Sequence, residues 1–419
     1  MKERLSFYGL LTKLGPGLIT GASDDDPSGI ATYSQVGAQF GYTLLWTMVL
    51  SYPLMAAIQE ICGRIGRVTG CGLAANLRKN YPRPVLFSVV ALMSAANVFN
   101  LGADIGAMGS SVALLIPGTT KLFTVVFGLV SVLPVLFVPY TAYAKYLKWL
   151  TLSLFAYVAV AFLVHVSWRS VLGATLIPRM GLKQESFVAL IAVLGTTISP
   201  YLFFWQASQE AEEVKNHRGD KALKHAPEQA GAQLQRIHID TLVGMALSNV
   251  VGFFIILTAA STLHTHGITN ISTSTQAASA LAPIAGHFAG ELFVCGIVGT
   301  GLLAVPILAA SAAYAISECK WKTSVANSRR KTPAFYAAVA VATAVGLTMD
   351  FLQINPVKSL VWAAVLNGIV AAPLMAVIML MSSSRRVMGK FLVPRHLRWI
   401  GWVATAMMAC VGVGVFLTW

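Results

Sequence analysis

The sequence predicts an all-α integral membrane protein with about eleven transmembrane helices. The arrangement expected is an inverted 5+5 repeat with helices 1 and 6 broken, plus one extra C-terminal helix. Three observations predict it. Of 419 residues, 56% are hydrophobic and only 11% charged, where soluble chains carry about 25% charged residues. Basic residues alternate between rich and poor loops along the chain. Two apolar segments, the first and the sixth, are interrupted by polar residues and proline.

A helix needs about 20 apolar residues to cross the hydrocarbon core. Windows of that length fall near 14–37, 42–63, 86–116, 120–140, 147–168, 187–213, 238–262, 288–317, 334–350, 357–382 and 397–418. The whole chain reads as a single transmembrane domain. Residues 14–168 form the first five-helix repeat, 187–382 the second, and 397–418 the extra helix. With the N-terminus in the cytoplasm, 25 of the 30 Lys and Arg residues fall in inside segments and 5 outside. This asymmetry sets the orientation, and an odd number of spans puts the C-terminus outside. The expected location is a cell (inner) membrane, and the lipid bilayer is the expected surrounding.

The formal net charge of +14 therefore reflects cytoplasmic loops and not nucleic-acid binding. The five cysteines form no C-x-x-C pair, which argues against a thiol metal site. No nucleophile–base pair or phosphate loop is apparent, so an enzyme is not expected. No permanent cofactor and no obligate protein partner is expected either. The stretch 214–237 reads as a solvated linker with a short amphipathic helix.

The first span contains Gly-Pro-Gly-Leu-Ile-Thr-Gly-Ala-Ser-Asp-Asp-Asp-Pro-Ser-Gly-Ile, residues 15–30. Pro27 removes a backbone donor, and Gly29 permits unwinding. A charge at mid-bilayer costs several kcal/mol. One aspartate suffices to cap a helix starting at Pro27, so three of them, Asp24, Asp25 and Asp26, point to an ion or substrate site. The sixth span reads Leu-Gly-Thr-Thr-Ile-Ser-Pro-Tyr over 194–201, again a polar break before a proline. Two such breaks are the pattern of a binding site formed where discontinuous helices face each other.

These residues resemble the Nramp family of divalent metal transporters. The likeness is carried by Asp26-Pro27-Ser28-Gly29-Ile30, Gly37, Gly41, Leu44-Leu45-Trp46 and Gly66-Arg67-Val68-Thr69-Gly70. Gly102-Ala103-Asp104-Ile105-Gly106 and Gly195-Thr196-Thr197-Ile198-Ser199-Pro200 carry it further. The resemblance implies a LeuT-like fold of eleven or twelve spans and import of ions such as Mn²⁺ and Fe²⁺, in many members with protons. The motifs also depart from the family. Its Asp-Pro-Gly-Asn becomes Asp26-Pro27-Ser28-Gly29, so the amide ligand is replaced by Gly29. Its Met-Pro-His becomes Ser199-Pro200-Tyr201, its later His becomes Gln206, and its Glu one turn beyond Asp104 becomes Ala107.

The chemistry of these departures sets the expectations. A thioether favours transition metals over Mg²⁺ and Ca²⁺. With Ser199 in its place the site becomes all oxygen, and losing the amide at Gly29 leaves space. A roomier oxygen site suits Mg²⁺ keeping part of its water shell. The expected transported substrate is a divalent cation, Mg²⁺ or Mn²⁺. Its expected ligands are Asp26, Ser199, Thr196 (through its carbonyl) and the position of Gly29. Asp24, Asp25, Tyr201, Asp104, Asn249 and Asn367 are expected along the pathway or around the ligands. Tyr201 and Ala107 cannot relay protons near neutral pH, which argues against proton coupling. Two alternatives stay open: the same fold moving an organic solute, and a sensor that has lost its site.

Several further residues have expected structural roles. Asp240 is expected near a helix start, Asn249 and Asn367 in helix–helix hydrogen bonds or the pathway, and Glu210, Glu212 and Glu213 on a solvated face. Glu60 and Glu318 are expected to pair with nearby basic residues. His264 and His266 form a weak metal motif.

Overall fold

Backbone in hydrocarbon can bond only to itself, so the apolar windows must be helical. The computed structural model describes residues 20–21, 23–137, 152, 154–164, 166–216, 219–320, 333–352 and 354–418. A helix lies in every expected span. They are α1 (Pro27–Phe40), α2 (Trp46–Thr69), α3 (Arg83–Val112), α4 (Thr120–Phe137), α5 (Phe155–Leu163), the pair α6 (Gln184–Thr197) and α7 (Pro200–Asn216), α8 (Ala230–Thr262), α9 (Ala289–Lys320), α10 (Pro333–Phe351), α11 (Pro356–Ser383) and α12 (Arg395–Leu417). Among the described residues, six helical stretches are long and apolar enough to cross a membrane by length and composition. Residues 14–19, 22, 138–140, 147–151, 153 and 165 of the expected spans lie outside the described residues.

Helix ends follow local chemistry. Asp26 caps α1, with Pro27 at the first helical position. Asn355 caps α11 in the same way, its side chain accepting from the Lys358 amide at 3.1 Å. Gly70, in the left-handed region at φ 64°, ends α2.

α1 packs along α8, α6 along α11, α7 along α2, and α3 against α9 and α10. Small residues permit the close approaches, as is usual between membrane helices. A Cβ on Gly37 would stand 2.3 Å from the Ile256 carbonyl oxygen, and one on Gly195 2.1 Å from that of Ala364. Two apolar clusters form the interior. One joins α1, α3, α8 and α9, and the other α2, α6, α7, α11 and α12. Phe162, Trp399 and Phe416, within expected spans, are exposed, as apolar side chains on the outside of a membrane bundle are. The protein is a multi-pass helical membrane bundle.

The linker expected at 214–237 is shorter. α7 runs to Asn216 and α8 already begins at Ala230, because no proline interrupts the chain between Ala230 and the apolar run. Asp240 consequently sits inside α8, buried, with Arg236 one turn before it at 4.0 Å, and the helix-start role is withdrawn. The linker docks on the end of α2. Leu223 and Lys224 donate their amides to the Arg67 and Val68 carbonyls, each at 3.3 Å. Asp220 pairs with the buried Arg67 guanidinium at 2.6 Å.

Candidate functional site

The first break spans Ser23 to Asp26. Ser23 and Asp24 donate to the Thr20 and Gly21 carbonyls in single turns, each at 3.2 Å, and the chain re-enters a helix only at Pro27. Asp26 Oδ1 accepts from the Gly29 amide at 2.8 Å and from Ser28 Oγ at 2.6 Å. Half of this carboxylate therefore caps α1.

The second break is Ile198–Ser199, between α6 and α7. Ser199 Oγ donates to the Thr196 carbonyl at 2.7 Å. The Thr196 carbonyl, the expected ligand, keeps its second lone pair, and the Thr196 hydroxyl has no hydrogen-bond partner among the described residues. Tyr201 Oη donates to the Ser23 carbonyl at 2.9 Å and lies 3.4 Å from Asp26 Oδ2. The two breaks thus face each other across a few ångströms. The gap expected at Gly29 is not open. A Cβ there would meet Thr196 Oγ1 at 3.0 Å and Asp26 Oδ1 at 3.6 Å, so the Thr196 hydroxyl already occupies the space the missing amide leaves.

Two further residues, absent from the sequence expectations, complete the surroundings. Asn100 on α3 donates from Nδ2 to Asp26 Oδ2 at 3.0 Å. Ser248 on α8 places Oγ 2.9 Å from Asp24 Oδ2 and 3.1 Å from Asp25 Oδ1. Asn100 had a readable signal. Asn97, Asn100 and Asp104 are spaced three and four apart and share one helix face. Ser248 had none, since a lone serine in an apolar helix is ordinary.

Asp24, Asp25, Asp26 and Asp104 are all 5% exposed or less. Among the described residues none of the four forms an ion pair, and a basic partner for Asp104 is absent. Buried charges of one sign are strongly unfavourable without compensation. Several oxygens here also have no hydrogen-bond partner among the described residues: Asp24 Oδ1, Asn100 Oδ1, both oxygens of Asp104 and Thr196 Oγ1. The Ser28 amide faces Asp104 and the Ser199 hydroxyl faces Asp24, both outside bonding geometry. Nearly all of these groups accept and few donate, which is an environment suited to a cation. No three His, Cys, Asp or Glu side chains among the described residues converge on a common point. A metal ion here would be held by a mixed set of carboxylate, hydroxyl, amide and carbonyl oxygens.

The remaining candidates lie apart from this cluster or border it. Asn249 Nδ2 donates to Ser51 Oγ at 3.2 Å and Met55 Sδ at 3.4 Å on α2, a helix–helix contact away from the breaks. Asn367 is buried on α11 with Oδ1 unpartnered, next to Gly368, which packs on α6. His264 Nδ1 lies 2.7 Å from the Ala38 carbonyl and fastens α8 to the end of α1. Glu60 pairs with Arg64 at 2.6 Å, as expected, and also with His238 at 2.8 Å. Glu210 is not on a solvated face. It is fully buried and bonded to Arg236 at 2.5 Å. Glu212 accepts from Tyr314 Oη at 2.7 Å. Glu318 accepts from the Ala75 amide at 3.0 Å, with Lys215 and Arg78 near enough to act on its charge; the side chains of Lys320 and Lys322 lie outside the described residues. Thr32, Gln35, Gln39, Gln184, Glu185 and Trp362 line part of a cavity of about 380 Å³ between α1, α6 and α11.

The family model for natural resistance-associated macrophage protein-like (Nramp) chains matches residues 17–418. The chain belongs to the Nramp family. Its members are transporters and not enzymes. This Nramp chain is 26% identical over 390 residues to the divalent metal cation transporter MntH of Verminephrobacter eiseniae, covering 91% of this chain and 83% of that one. Its fold is that of a manganese transporter from Eremococcus coleocola, solved with an aromatic bis-isothiourea compound. The TM-score is 0.76 at 17% identity, over 99% of this chain and 88% of that one. MhsT, solved with L-phenylalanine, shares the fold at a TM-score of 0.60 and 13% identity, covering 100% of this chain and 99% of that one. The Nramp chain therefore has the LeuT-like fold expected from its two broken helices.

Proposed function

We propose that this Nramp-family protein moves a divalent cation, Mg²⁺ or Mn²⁺, across an inner membrane by alternating access. The observation that carries the reading is the cluster of four buried carboxylates at the facing breaks, with no counter-cation among the described residues. The naming of its relatives as divalent metal cation transporters supports it. Asp26 is the main charged ligand, through Oδ2, since Oδ1 is held by the α1 cap. Ser199 and the Thr196 hydroxyl add oxygens, and Gly29 lets Thr196 approach. Asp24, Asp25 and Asp104 lower the potential around the ion, Tyr201 orients Asp26, and Asn367 borders the route beside α6. Asn249 serves the packing of α8 on α2.

The oxygen donor set favours Mg²⁺ more than a thioether site would. Ala107 and Gln206 have no titratable group and Tyr201 is a phenol, so the relay positions that accompany the metal site in the family are mostly lost and transport runs without obligatory proton coupling. The five-helix halves 14–168 and 187–382 rock about the breaks. The N-terminus faces the cytoplasm and the C-terminus the outside, by the distribution of Lys and Arg.

The test is calorimetric titration of purified protein with Mg²⁺, Mn²⁺ and Ca²⁺, followed by flux into proteoliposomes. Saturable Mg²⁺ or Mn²⁺ binding and uptake, both lost in Asp26→Ala, is the expected result. Folded protein that binds none of these ions would sink the reading in favour of an organic solute or a sensor.

A further inference from the structure

Asn100 occupies an unusual position. Its Nδ2 donates to Asp26 Oδ2 at 3.0 Å, which fixes the orientation of the amide. The flipped amide would set its oxygen against a carboxylate oxygen. Asn100 Oδ1 is therefore the open acceptor of the amide beside Asp26, fully buried and without a donor among the described residues. Asp104, one helical turn further along the same face of α3, also has both oxygens without a partner. Two neighbouring side chains thus offer buried acceptors beside the main carboxylate of the site.

We infer that Asn100 is a ligand of the transported cation, its Oδ1 supplying from α3 the amide oxygen that Gly29 does not supply from α1. The inference rests on the divalent-cation reading above and adds a ligand to it. One amide then does two things: Nδ2 holds Asp26 in place, and Oδ1 joins the coordination sphere. A neutral carbonyl oxygen suits a hard ion. It also adds no fifth negative charge to a cluster that already has four carboxylates.

Three substitutions separate coordination from positioning. Asn100→Leu keeps the volume and removes both functions. Asn100→Asp keeps an oxygen and removes the donor to Asp26. Asn100→Cys replaces the oxygen with a thiolate, which binds Cd²⁺ and gives an ultraviolet charge-transfer absorbance that a merely positioning residue cannot produce. Each is purified, shown to be monodisperse and titrated beside the parent. The five native cysteines of the parent give the Cd²⁺ baseline. Asn97→Cys is the control, since the Asn97 amide is tied to the Leu308 carbonyl and Ser311 Oγ on α9 at 3.1 and 2.7 Å.

The expected result is at least a tenfold loss of Mg²⁺ affinity in Asn100→Leu and a loss of no more than a fewfold in Asn100→Asp, with a new Cd²⁺ band in Asn100→Cys only. Equal losses in the Leu and Asp variants with no band would leave Asn100 as a holder of Asp26 and overturn the inference. Parental affinity in Asn100→Leu with no band would overturn it as well. In both cases a parent that binds Mg²⁺, and loses it in Asp26→Ala, leaves the transport reading standing. A parent that binds no divalent ion removes both.

Discussion

Two carboxylate-rich regions of the same bundle are built on opposite rules. Where α7 meets α8 and α2, each of Glu60, Glu210, Glu213 and Asp220 lies against an arginine: Arg64, Arg236, Arg236 and Arg67. At the facing breaks, Asp24, Asp25, Asp26 and Asp104 have no such partner among the described residues, and only hydroxyls, amides and an asparagine approach them. Glu213 and Asp220 are partly exposed, but Glu210 is as deeply buried as Asp104, each 0% exposed. Burial alone therefore does not mark the candidate site. What marks it is burial without compensation, because an ion pair already satisfied by the protein has little attraction left for a substrate ion.

The sharpest break of this comparison is Asp104→Asn. Removing one uncompensated charge next to the site should weaken Mg²⁺ or Mn²⁺ binding about 100-fold, from the size of charge–charge terms in a partly dry interior. Thermal stability should hold or rise, because the variant buries one charge fewer. Calorimetry and a melting curve on the same sample check both. A variant that lost stability and kept its affinity would mean that Asp104 is structural.

Glu210→Gln makes the opposite change in the paired region. Arg236 keeps Glu213 at 3.1 Å but loses its buried partner, which costs about 3 kcal/mol of stability, the low end for a broken buried pair. Cation affinity should stay within about twofold, since the site keeps all its ligands. A large loss of affinity with unchanged melting would erase the contrast between the two regions.

Much of this architecture was legible in the sequence, and the gaps have definite causes. The spans and both breaks were readable because lipid allows few alternatives: long apolar windows must be helical, and a proline beside polar residues must interrupt them. Asp26, Ser199, Thr196 and Tyr201 were readable because they lie within the breaks themselves. Asn100 and Ser248 come from intact helices and approach only through packing, which one-dimensional periodicity does not encode. The openness expected at Gly29 failed for the same reason. It counted the side chain missing from α1 but not the Thr196 hydroxyl arriving from α6. The start of α8 was misplaced because hydropathy marks where a helix enters lipid, and this helix begins earlier, in water.

Ser199→Met sharpens the comparison from the side of ligand type. Its hydroxyl now donates to the Thr196 carbonyl, so the substitution frees that carbonyl and adds a soft sulfur. The ratio of Mn²⁺ to Mg²⁺ affinity should rise about tenfold. Competition titrations in one buffer read this ratio without depending on the active fraction of protein. An unchanged ratio would place Ser199 outside the coordination sphere.

The smallest effect belongs to Asn249→Ala, which separates a polar residue of the bundle from a polar residue of the site. Asn249 lies on α8 one position after Ser248, which contacts Asp24 and Asp25. One position along a helix turns a side chain by about 100°, and Asn249 accordingly bonds to Ser51 and Met55 on α2. Truncating it removes both of these buried hydrogen bonds, a loss of about 1–2 kcal/mol. Divalent cation affinity should change less than about twofold. Ser248→Ala, made beside it, removes the hydroxyl that both Asp24 and Asp25 share and should shift affinity by about three- to tenfold. Equal effects from the two neighbours would mean that the site reaches across α8 toward α2, and the boundary between site and bundle would have to be redrawn there.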